Sequence, residues 1–289
     1  MEKTADSSPA LRIDGDVDDR GGSIDTDRDV RVTGSVRANL GVRTEGSVAV
    51  GADVEAGAEV NAGGDVAVCG GIVGARVVAM GGVRAGHIRD GEVMARGEVA
   101  AGRVDGARVR AGARLVVDNG GNITGGEAYA VAGLEVGGTV GALSGQETVV
   151  GLMADPDAAA RLAKVREGLA FCEADIMRIM RTLGLRTVSK AEIQVMFQRT
   201  PPSKRKFAIG ILKQLNQLVK VREELQEKGA QHEARRDQVL RDGEIRILGT
   251  AYAGVHIRIG EADRVLSEAL DRPIFSLTDH GIQTRIQDA

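Results

Sequence analysis

The chain has 289 residues, of which 2% are aromatic and none is tryptophan, while glycine contributes 40. This excludes a large core built on Phe, Tyr and Trp and leaves small β-branched residues to fill the interior. The net charge of −3 conceals a split: Asp155 to Arg241 carries 18 basic against 11 acidic residues (+7), and the remainder carries 20 against 30 (−10), so an electrostatic partner reads one part rather than the whole.

Met1 to Ala10 is polar, with neither a basic start nor an apolar stretch, and is expected to be a disordered lead-in. No apolar run approaches the roughly 18 residues of a membrane span. Cys69 and Cys172 are too few and too far apart for a disulfide framework. Together these point to a cytoplasmic protein with reduced thiols.

From Leu11 onward the pattern is a ladder. Ile24, Val30, Val36, Val42, Val48, Val54, Val60, Val66 and Ile72 recur every six positions. The two-apart pairs Val30/Val32, Val48/Val50 and Val66/Val68 recur every eighteen. Three hexads per repeat predict a parallel β-helix with three faces per coil, mainly β in class. Position three of each hexad, including Ala38 and Ala56, is expected to point inward with position one, and the Gly, Ser and Asp residues that follow suit corners. Past Ile72 the beat loosens to five or six through Val78, Val83, Ile88, Val93, Val99, Val104, Val109 and Leu115. From Ile13 to Gly151 this makes roughly seven or eight coils at the usual rung spacing. The aspartates Asp14, Asp16, Asp18, Asp19, Asp25, Asp27 and Asp29 invite a calcium reading, but no EF-hand loop or calcium-binding nonapeptide is present. No metal or cofactor is expected.

Residues 155–241 change texture. Asp155-Pro156 is a helix start. Leu162, Val165, Leu169, Cys172, Ile176, Ile179 and Leu183 then step by three and four toward Gly184, a heptad seam. A short helical piece over Ser189 to Arg199 leads to Thr200-Pro201-Pro202, which breaks the pattern. Ile211, Leu218, Leu225, His232 and Val239 lie seven apart, with Arg222, Gly229 and Arg236 interrupting the interleaved positions. The expectation is an antiparallel coiled-coil hairpin inserted in the β-helix. Its turn region carries Arg199, Lys204, Arg205 and Lys206, the candidate partner-binding residues. An acidic protein surface, including a second copy of this chain, suits them; without interleaved aromatics for base stacking, nucleic acid is not expected.

Residues 242–289 are expected to form one more coil and a capping hairpin around Asp279-His280-Gly281, with Phe275 plugging the core.

Cys69-Gly70-Gly71-Ile72-Val73-Gly74-Ala75, then Gly120 to Gly126, then Thr250 to Gly260, in that order and with a helical hairpin inserted late, resemble the flagellar assembly protein A family of bacterial β-helix proteins. The resemblance implies a non-catalytic cytoplasmic scaffold linked to flagellar assembly or placement, and supplies no catalytic residues. Two other solenoid classes share the hexads. Bactofilin-like cytoskeletal rods polymerise end to end, and hexapeptide-repeat acyltransferases need a catalytic histidine beside a loop that leaves the coil. His87, the one histidine of the main rod, sits in an uninterrupted beat, so no enzyme activity is expected.

Overall fold

In a computed structural model, residues 9–142 and 146–287 are described; most of the expected disordered lead-in lies outside them. The chain separates into two compact units, one made of Met1–Ala154 with Gln238–Ala289 and the other of Asp155–Asp237.

The first unit is a β-solenoid. Among the described residues its two long faces are parallel sheets of nine rungs each. The hexad ladder sorts by threes. Val30, Val48 and Val66 stack in register on one face, Ile24, Val42 and Val60 on the second, and Val17, Val36, Val54 and Ile72 are linked by single parallel bridges on the third. All of these except Ile24 are essentially inaccessible to solvent, each worth about 1.5–3 kcal/mol relative to exposure. Because parallel stacking puts equivalent residues directly above one another, a core of Val, Ile and Ala closes without aromatic bulk.

The third face departs from the hexad expectation. Ala38 and Ala56 are exposed rather than inward, because the chain turns immediately after Val36 and Val54, through Asn39 at φ 62° and Gly57 at φ 75°. A second correction follows the shortening of the coil. Val42 pairs with Val60 eighteen residues on, Val60 with Val77 seventeen on, and Val77 with Val93 sixteen on. The residue lost at the corner places Val77, fully buried, on the ladder, and Val78 on the outer side. A one-residue change of register moves a strand's side chains to the opposite face. The coil then widens to nineteen at Val109↔Ala128 and twenty-two at Ala128↔Val150.

The acidic start has a structural use. Asp16 accepts a hydrogen bond from the Ser35 amide, the Ser35 hydroxyl accepts from the Asp53 amide, and Asp53 accepts from the Gly71 amide. A second column runs from Asp29 through Ser47 and Asp65 to the Gly82 amide. Each side chain satisfies a corner amide of the next coil that no ladder reaches.

After the helical unit the chain adds a last rung on each face, and an antiparallel strand then covers each: Pro273–Thr278 on Glu244–Ile247, Ala262–Val265 on His256–Ile259, and Leu270–Asp271 on Thr250–Ala251. Pro273–Thr278 continues into Gly281–Ile286 as the expected hairpin. Phe275 is fully buried at this end.

The helical unit contains α1 (Pro156–Leu183), α2 (Lys190–Arg199) and most of α3 (Pro202–Asp242). Asp155 caps α1 by accepting from the Asp157 amide, with Pro156 in the first turn. Arg166 pairs with Glu233 at 2.9 Å, Gly168 faces Leu225 and Gly229 faces Val165, so α1 and α3 run antiparallel. Ile176 and Ile179 pack with Leu212 and Leu215. No helix among the described residues is long and apolar enough to cross a membrane.

Candidate functional site

The end of α1, α2 and the start of α3 line an open cleft of about 900 Å³. Its first wall is set by how α1 stops. Gly184 adopts φ 68° and the Leu185 amide returns to the Met180 carbonyl at 2.9 Å, a left-handed helix end that glycine makes without steric cost. Leu185 is thereby tucked into the core beneath.

The connection to α2 is held by Glu192. Its Oε2 accepts from the amides of Arg186 and Thr187, each at 2.7 Å, while the Ser189 hydroxyl caps α2 by accepting from the Glu192 amide. This is a variant of the capping box, with the glutamate reaching back past the cap residue. The Thr187 amide, above all, holds the Glu192 carboxyl below its ordinary pKa.

At the far side α2 ends where Thr200 donates its hydroxyl to the Met196 carbonyl, and Pro201-Pro202 starts α3 afresh. Three turns of different helices therefore meet around an apolar floor of Leu183, Leu185, Met196 and Ile211. α2 fully buries none of its residues. Val195 on α2 is 44% exposed and Phe207 on α3 is 69% exposed, both at the cleft.

Two of the four cations singled out in the sequence, Arg199 and Lys204, line this cleft. Arg205 turns its Nε to the Thr200 carbonyl at 3.3 Å, and Lys206 is exposed on α3 without lining the cleft. Arg199, Lys204 and Lys206 have no carboxylate partner among the described residues. Sequence reasoning missed Arg186, Val195 and Phe207; the available signal was an aromatic placed directly after Lys204-Arg205-Lys206, where a solvated face has no use for one.

The histidines are dispersed. His87 lies over Gly71, where a Cβ would strike its ring. His256 Nδ1 is 3.7 Å from Asp263, His232 is half-buried on α3 and His280 is exposed in the terminal hairpin. No group of three or more His, Cys, Asp or Glu among the described residues is placed to hold a metal. Asp16 and Asp29, from the run that invited calcium, are engaged at corners.

A family model described as the Flagellar Assembly Protein A beta solenoid domain, FapA, matches residues 9–282. The chain belongs to the FapA family. The match begins two residues before the first solenoid rung and ends inside the terminal hairpin, so it takes in the helical unit as well. FapA membership makes this a β-solenoid protein related to flagellar assembly, as the glycine motifs and their order led one to expect. No curated protein and no solved structure matches the chain.

Proposed function

We propose that this FapA protein is a non-catalytic cytoplasmic scaffold whose helical unit is the partner-binding element, the cleft at the α1–α2–α3 junction being its contact surface. The observation that carries this reading is the pairing of uncompensated cations with uncovered apolar side chains at one place: Arg199 and Lys204 beside Val195 and Phe207. The solenoid contrasts with it. Its ladder residues face inward, its corner amides are satisfied, and many of its outward charges pair between coils, as Arg37 does with Asp16 and Glu55.

The test replaces residues 155–241 by a short glycine linker. The expected protein keeps the β-type circular dichroism and cooperative melting of the solenoid and loses the partners that full-length protein captures from extracts of flagellated cells. Retention of every partner by a folded deletion variant overturns the reading.

A further inference from the structure

We infer that the cleft between α1, α2 and α3 receives a short acidic amphipathic helix from a protein partner, its apolar face against Val195, Met196 and Phe207 and its carboxylates against Arg186, Arg199 and Lys204. The inference rests on the helical unit being the partner-binding element, and it adds what that partner presents.

Size and lining come first. A cleft of about 900 Å³ falls in the range of built binding sites and takes a few large aliphatic side chains. Phe207 is the most exposed large apolar side chain of the described residues at 69%, with Val195 at 44% across the same cleft. Burying a side chain of either kind gains about 1.5–3 kcal/mol.

Charge fixes the sign. Glu192, the one carboxylate among the described residues lining the cleft, accepts from two backbone amides and offsets a single cation, so the lining stays net positive. Arg186, Arg199 and Lys204 remain, and neither Arg199 nor Lys204 has an acidic partner among the described residues. An anionic ligand is favoured, and an anion with no apolar face leaves Phe207 and Val195 wet.

The walls choose the backbone. Every lining residue belongs to a helix or to the turn joining two, so no strand edge is available to pair with an extended peptide. A bound segment must satisfy its own amides and carbonyls, which a helix does. Nucleic acid would set its phosphates against the cations but finds only Phe207 as a stacking surface, over an aliphatic floor.

The probe is a fluorescein-labelled synthetic peptide of about four helical turns, made of Glu and Ala with Leu at i, i+3, i+4 and i+7, titrated by anisotropy into the full-length protein at low salt. Micromolar binding is expected, at least about tenfold tighter than for a peptide of identical composition with its leucines scattered around the helix. Phe207→Ser, and separately the pair Arg199→Glu and Lys204→Glu, weaken binding about tenfold with unchanged melting temperature, and the charge-reversed pair binds the version with Lys for Glu instead. Equal binding of the scattered peptide overturns the inference, as does insensitivity to both variants. So does competition in which single-stranded DNA, phosphatidylserine vesicles or a second copy of the protein displaces the peptide at lower concentration. If the peptide fails while deletion of residues 155–241 still abolishes partner capture, the inference falls and the scaffold reading stands; if that deletion loses no partner, both fall.

Discussion

Asp53 and Gly71 stand one coil apart, and the Asp53 carboxylate accepts the Gly71 amide at 2.6 Å. Gly71 is buried, and the Asp53 carboxylate is the side chain that meets its amide at this corner. Asp53→Ala therefore leaves a buried donor unmet, at a cost of about 1–3 kcal/mol. Asp53→Asn keeps an oxygen acceptor, as Asn122 does for the Thr139 amide at 2.8 Å, and costs much less. Urea unfolding followed by circular dichroism separates the two; equal loss in both variants means that the charge and not the hydrogen bond matters at this corner.

The first coil is expected to lose stability in acid. The Ser35 amide, followed by the Arg37 guanidinium, holds the Asp16 carboxyl below its ordinary pKa. Between the folded and unfolded values the unfolded chain binds more protons, so stability rises with pH there. The contribution of Asp16 is complete above the unfolded value near 3.9 and is lost as pH falls through the depressed folded value. Comparison of Asp16→Asn with the parent by urea midpoint should show a deficit at pH of about 6 that shrinks at about 3. A deficit that is constant across this range would show that the Asp16 charge plays no part.

Phe275 closes the solenoid at its last rungs. It pairs across the antiparallel junction with Ile245 and is fully buried. Phe275→Ala removes the one fully buried aromatic side chain among the described residues of this unit and costs about 3–5 kcal/mol. Loosening the covering strand also uncovers a parallel sheet edge, which is a template for association. The expected outcome is a lower urea midpoint together with higher-order species in size-exclusion chromatography; a destabilised but monodisperse protein would assign Phe275 to packing alone.

Much of this architecture was readable in the residues because parallel stacking turns a repeat into a spatial column: Val30, Val48 and Val66 are eighteen apart and lie in register. Reading failed where a corner changed length. Val77 and Val78 are both apolar, and only the pairing of Val60 with Val77 decides which faces inward. Ala38 and Ala56 were misplaced for a related reason, since alanine is equally at home inside or outside and carries no signal of a turn. The terminal hairpin was visible from its turn residues, whereas the shorter antiparallel strands Ala262–Val265 and Leu270–Asp271 carry no alternation that singles them out. At the candidate site Arg199 and Lys204 announced themselves by charge. Phe207 was signalled only by its place directly after Lys204-Arg205-Lys206, and Val195 not at all, because exposure of an apolar side chain depends on how α2 and α3 meet rather than on either helix alone.

The helical unit can be made firmer without touching the cleft. Gly229 lies on the side of α3 facing α1, where an added Cβ would sit 3.5 Å from Val165 Cγ1, an ordinary contact. Glycine inside a helix is less favourable than alanine by about 1 kcal/mol, so Gly229→Ala is expected to stabilise this unit by roughly that amount. Gly168 on α1 is the contrasting case, because a Cβ there would come within 3.2 Å of Leu225 Cδ1 and part of the propensity gain is spent moving the leucine. Amide hydrogen exchange reports on each unit separately, and slower exchange confined to α1 and α3 in Gly229→Ala, with a smaller change in Gly168→Ala, is the expected pattern. Faster exchange in Gly229→Ala would mean that the two helices approach more closely than a methyl group allows.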